Sequence, residues 1–81
     1  MKENIEYQRL RWQCRRGMLE LDLILLNFLD KNFATWNQED QNQFQKLSAQ
    51  SDVDLQDWLI YKIKPEDPEI DNLIKRIKLN R

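Results

Sequence analysis

The sequence predicts an all-α fold, a small five-helix antiparallel bundle in which residues 1–81 form one domain. Three observations predict it. The 81 residues contain one glycine and two prolines, so regular structure has few points at which it must break. Apolar residues recur three and four positions apart, most clearly at Ile70, Leu73, Ile74 and Ile77, which is the period of a helix face. No segment alternates apolar and polar residues over the length of a strand. Ile60 to Ile63 is short and mixed, and Pro65 follows it. A chain of this length buries only about 60–65% of the surface that its unfolded form exposes. Its core is therefore small, and a binding surface suits it better than a deep catalytic cleft.

The first helix is expected from about Ile5 to Arg15, with Tyr7, Leu10 and Cys14 on one face and Arg9 and Arg16 on another. Gly17 is expected to end it and, in one reading, to cap the next helix. That second helix, from about Met18 to Lys31 or Asn32, is the most apolar. Met18, Leu21, Leu25, Phe28 and Leu29 form one stripe and Leu19, Leu23 and Leu26 another, so a central helix touched on several sides is expected. Glu20 and Asp22 lie in its first turn, where the macrodipole favours negative charge. With Gly17 as cap, Glu20 stands at the third helical position, half of a capping box. Phe33 to Trp36 reads as a connection, with Trp36 covering the end of the core.

Asn37 and Asp40 predict a capped third helix from Gln38 to about Ala49. Its apolar stripe is thin: Phe44, Leu47 and Ala49. Ser51 or Asp52 caps a short fourth helix that ends near Tyr61 and turns Leu55, Trp58 and Leu59 inward. Asp67 followed by Pro68 is a cap with proline at the first helical position. The fifth helix runs from there to about Leu79, with Lys75, Arg76 and Lys78 in its last turn.

The charges balance to a formal net of −1, but unevenly along the chain. Residues 1–16 carry five basic and two acidic groups, residues 17–57 two basic and eight acidic, and residues 58–81 six basic and four acidic. That is not the basic footprint of a nucleic-acid binder, although Arg9, Arg11, Arg15 and Arg16 cluster before the glycine. One cysteine, Cys14, excludes an intrachain disulfide and fits a reducing compartment. With no histidine, most transition-metal sites are excluded. Met1 to Ile5 has no apolar signal region, and the longest apolar run is interrupted at Asp22 and Asn27, too short for a membrane span. A cytoplasmic, bacterial protein is expected.

Enzyme chemistry finds little support. There is no histidine base and no glycine-rich phosphate loop. Glu20 and Asp22 are two positions apart on a helix and point apart, so they cannot share a substrate. Cys14 lies on the inward stripe, where a thiol without a base is inert. The corner at Gly17 is a candidate protein contact. Glycine lets a partner backbone come close, Arg16 offers a planar donor fork, and Glu20 offers an acceptor. The plain alternative makes Gly17 a turn, Glu20 a helix-start charge and Arg16 a solvated side chain. Trp12 fits either the edge of the bundle or a contact surface.

The stretch Arg11-Trp12-Gln13-Cys14-Arg15-Arg16-Gly17-Met18-Leu19-Glu20-Leu21-Asp22 resembles the signature of the SdhE family, whose R-G-x-x-E core is met by Arg16, Gly17 and Glu20. Asp54-Leu55 with Trp58-Leu59, then Lys64-Pro65, then the closing helix extend the resemblance over nearly the whole chain. Val53 stands where many members have proline, and Lys62-Ile63-Lys64 lacks a glycine often found there. The resemblance implies a five-helix bundle and an assembly factor that binds the flavoprotein subunit of succinate dehydrogenase, and of fumarate reductase. It would promote covalent FAD attachment to that subunit's own histidine. The FAD would belong to the partner, with none bound stably by this chain. The contact residues implied are Arg16, Gly17 and Glu20, with Arg9, Met18 and Asp22 beside them. The alternatives are an antitoxin-like partner of an inner-membrane protein and a small nucleic-acid-binding helical module.

Overall fold

Four short polar side chains set where helices begin. Asn4 Oδ1 accepts the Tyr7 backbone N–H at 3.1 Å, and Ser51 Oγ accepts that of Asp54 at 3.1 Å. Asp67 Oδ1 accepts that of Glu69 at 2.9 Å. Asn37 and Asp40 form a full capping box: Asn37 Oδ1 accepts the Asp40 N–H at 2.8 Å and Asp40 Oδ2 accepts the Asn37 N–H at 3.3 Å. Each such cap satisfies an otherwise orphaned donor and is worth about 1 kcal/mol. The computed structural model describes residues 4–79. Within it lie α1 (Ile5–Gln13), α2 (Leu19–Asn32), a single 3₁₀ turn (Phe33–Thr35), α3 (Gln38–Ser48), α4 (Asp52–Leu59) and α5 (Pro68–Leu79), with no strand among the described residues.

The periodic stripes close on one core. Leu10 and Cys14, then Leu21, Leu25, Phe28 and Leu29 of α2, then Phe44 and Leu47, Leu55 and Leu59, and Ile70, Leu73, Ile74 and Ile77 are all buried. α3 lies against α1 and α5, α2 against α1 and α4, and α4 against α5. Trp36 covers one end of the core as expected, with its ring 5.2 Å from Phe44 and 5.6 Å from Phe28. Ion pairs tie the rim. Lys46 of α3 reaches Asp67 and Glu69 at 2.7 and 2.9 Å, and these contacts hold the Asp67 carboxyl below the usual range. Tyr7 donates to Asp30, and this bond raises the phenol above its ordinary pKa. Arg11 meets the same carboxylate at 3.3 Å.

Several expectations are corrected. α1 stops at Gln13, two residues early, and α4 stops at Leu59. Ala49 is exposed and Trp58 only half-buried. The second stripe of α2 is covered only at Leu26, which packs against the core; Leu19 and Leu23 are 77% and 50% exposed. The main neighbours of α2 are α1, α4 and the 3₁₀ turn, and its first and second turns keep an open side.

The end of α4 explains the missing glycine. The Ile60 and Tyr61 N–H groups both reach the Gln56 carbonyl, and Ile63 N–H reaches the Asp57 carbonyl at 2.8 Å. Closing this turn places Lys62 at φ 61°, the left-handed region. A side chain there costs about 1–2 kcal/mol, against about 0.5–1 kcal/mol of extra unfolded-state entropy for glycine. Lys62→Gly should therefore stabilise the fold by about 0.5–1 kcal/mol and raise Tm by roughly 2–8 °C in a thermal melt.

Cys14 is fully buried, and burial pushes its thiol from 9.0 up to about 12. Between those values the unfolded chain gives up the proton and the folded chain keeps it. Stability must then fall as pH rises, by about 1.4 kcal/mol per pH unit. Urea melts across this alkaline window should show that loss in the native protein, and Cys14→Ala should flatten it.

Candidate functional site: the corner between α1 and α2

After Gln13 the chain leaves the helix. Cys14 N–H still reaches the Leu10 and Arg11 carbonyls, and Arg15 N–H the Trp12 carbonyl. Gly17 then reverses the chain at φ 80°. The reversal is as expected, but its place is not. α1 has ended four residues before Gly17, and the residue that caps α2 is Met18, in extended conformation and without a side-chain cap bond. Glu20 is accordingly the second residue of α2, and the half capping box with Gly17 does not form. A Cβ built on Gly17 would meet nothing within 4 Å. The glycine is required by its φ alone, and the space above it is open.

Arg16 is the most tied residue of the corner. Its backbone N–H donates to Asp22 Oδ1 at 2.7 Å. Its Nη1 donates to the Gln13 carbonyl at 3.3 Å and its Nη2 to the Gln50 carbonyl. Nε lies 2.9 Å from Asp52 Oδ1, off the hydrogen-bond axis, so that contact is a Coulombic pair. The Arg16 side chain is 17% exposed. The α3 dipole favours the cation beside its C-terminal end, and the α4 dipole favours the Asp52 carboxylate at its start, so each helix end stabilises one member of the pair. A second tie lies beneath: buried Ser48 donates to Gln13 Oε1 at 2.7 Å.

The remaining predicted residues divide by exposure. Asp22 faces back into the corner through its bond to Arg16. Glu20, two positions earlier, points away and is exposed, with no partner for its carboxylate among the described residues. Met18 is half-buried against the core. Arg9 is exposed and pairs with Glu6 at 3.4 Å. Its grouping with Arg16 by helical spacing does not hold, because Arg16 lies beyond the helix end.

Trp12 is 75% exposed, so it does not pack into the edge of the bundle. It shares a shallow depression with Gln8, Arg11 and Arg15. On the other side, Glu20, Leu23, Asn27, Phe28, Lys31 and Ile77 line a groove along α2. Sequence reading missed this open side of α2, and it missed Gln50 and Asp52 as partners of Arg16. They lie more than thirty residues away, and no local pattern joins them. The corner holds no nucleophile or base: Cys14 is sealed beneath it as a neutral thiol. What it presents is surface: bare backbone at Gly17, a Glu20 carboxylate with no partner among the described residues, and apolar Leu19 and Leu23 alongside.

A family model described as flavinator of succinate dehydrogenase matches residues 8–81. The chain belongs to this family. It is 37% identical to the FAD assembly factor SdhE of Coxiella burnetii over 96% of this chain and 95% of that one. It is 38% identical to the SdhE of Pseudomonas putida over 100% and 95%, and 39% identical to that of Photorhabdus laumondii over 86% and 80%. No solved structure matches it. The resemblance read from the R-G-x-x-E stretch is therefore upheld, and as a member of the flavinator family the chain is an assembly factor and not an enzyme. Neither the antitoxin nor the nucleic-acid reading gains support from these relatives.

Two single substitutions separate the tied residue of the motif from the free one. Arg16→Ala should cost about 1.5–3 kcal/mol in urea denaturation, because it strips charge-assisted bonds from a half-buried junction. Glu20→Ala, on an open surface, should stay within about 0.5 kcal/mol of the parent.

Proposed function

We propose that this chain binds the flavoprotein subunit of succinate dehydrogenase through the Gly17 corner. It holds that subunit in the state in which FAD links to the subunit's own histidine. The flavoprotein subunit of fumarate reductase is a second partner of the same kind. Gly17 and Glu20 make the direct contacts, with Arg9 and Met18 at the edge. Arg16 and Asp22 belong to the same contact region, chiefly by shaping it.

One observation carries the reading: in a member of the flavinator family, the family's R-G-x-x-E core falls on a backbone bend that nothing covers. A bend without a Cβ allows a partner's backbone to approach closely, and the free Glu20 carboxylate gives that approach an orientation. The adjoining Leu19 and Leu23 add apolar surface that would be desolvated on docking.

The chemistry is the partner's. This chain acts as a monomer in the cytoplasm. It binds no FAD stably by itself and no nucleic acid. It has no dinucleotide fingerprint of the G-x-G-x-x-G kind, and among the described residues no helix is long and apolar enough to cross a membrane.

Gly17→Asn tests the reading cleanly. Asparagine tolerates the left-handed region better than other side chains and would project into open space, so the variant should fold with a loss of about 1 kcal/mol or less. Covalent flavin on the purified flavoprotein subunit, read by in-gel fluorescence after denaturation, should form about tenfold more slowly with this variant. Flavinylation at the parent rate by a folded Gly17→Asn protein would overturn the proposal.

A further inference from the structure

The corner is held from a distance. Its backbone is fixed by Asp22, one turn into α2. Its arginine is fixed by Gln50, on the connection between α3 and α4, and by Asp52, the first residue of α4. Asp52 is half exposed, and as the first residue of a helix already capped by Ser51 it is not needed to start α4. Its carboxylate does one further thing in the structure: it pairs with Arg16.

We propose that Asp52 is a positioning residue for flavinylation, acting through Arg16 to keep the Gly17 bend in the shape that the flavoprotein subunit binds. This rests on the corner being the contact surface. The physical argument is one of leverage. Cys14 and Arg15 still bond back to α1, and the Met18 carbonyl accepts from Asp22, but Arg16 and Gly17 make no backbone–backbone bond among the described residues, so their conformation rests on side-chain ties. The guanidinium bridges the end of α1, through the Gln13 carbonyl, to the end of α3 and the start of α4. Removing the carboxylate leaves Nε with no charged partner and frees the arginine to leave the Gln50 carbonyl. Gly17, next in sequence and with no side chain of its own to anchor it, then samples more of the conformations that glycine allows. A binding-competent shape that is less populated lowers apparent affinity in proportion.

The test uses the full chain and the purified flavoprotein subunit, at a temperature where every variant is folded by circular dichroism. Asp52→Ala should weaken binding by about fivefold to tenfold. The amides of Arg16 and Gly17 in the free protein should exchange faster and shift in the NMR spectrum, and Asp52→Glu should restore both. Loss of stability alone would leave affinity unchanged under these conditions. Affinity equal to the parent overturns the proposal. Weakened affinity with parent-like Arg16 and Gly17 amides also overturns it, because Asp52 would then touch the partner itself. Gly17→Asn is run alongside. If it weakens binding while Asp52→Ala does not, the positioning role fails and the corner reading stands. If neither weakens binding, the corner reading fails with it.

Discussion

The rest of the structure depends on where one guanidinium ends. Arg16 stands outside any helix, yet its side chain ends between the close of α3 and the opening of α4. Without that bridge the segment between α1 and α2 would be tethered mainly by the Asp22 carboxylate and the burial of Cys14. With it, three helix ends are joined at one point, and the bond from Ser48 to Gln13 ties α1 to α3 a second time. In a chain of this size, whose core leaves little margin of stability, such a junction decides whether a surface loop has one shape or many.

That junction also resolves an apparent contradiction in the motif. An arginine, a glycine and a glutamate close together look like three contact residues of equal standing. In the folded chain they are not equal. The arginine is spent on the interior, the glycine supplies a left-handed bend with free space above it, and the glutamate has no partner among the described residues. The glycine and the glutamate are thus presented by a support that includes the arginine. An assembly factor benefits from this division. In the proposed role it supplies no chemistry, and a docking surface whose shape is set in folding does not pay that ordering cost again on association.

The fold was largely legible in the sequence because its signals are local. The caps at Asn37–Asp40, Ser51 and Asp67–Pro68 lie within a few residues of the helices they start. The stripe from Ile70 to Ile77 has the period of the face it buries. Helix ends were less legible, since Arg15 and Arg16 are good helix formers by propensity. What holds the chain out of the helix after α1 is tertiary: Arg16 reaches Gln50 and Asp52. Leu19 and Leu23 misled for a related reason. An apolar residue signals burial, but not whether a neighbour is there to cover it, and here none is. The site was legible through the motif. Its geometry was not, because the pairing of Arg16 with Asp52 spans 36 positions and leaves no periodic trace.

The most direct measurement is a hydrogen-exchange footprint of this chain, free and bound to the flavoprotein subunit of succinate dehydrogenase. Met18 provides no side-chain cap for α2, so the amides of its first turn exchange readily in the free protein and report on cover. Protection on binding should concentrate at residues 16–23, with the outer face of α5 unchanged. Protection centred on α5 or on the α4–α5 connection, with residues 16–23 exchanging as in the free chain, would contradict the assignment of the corner as the docking surface.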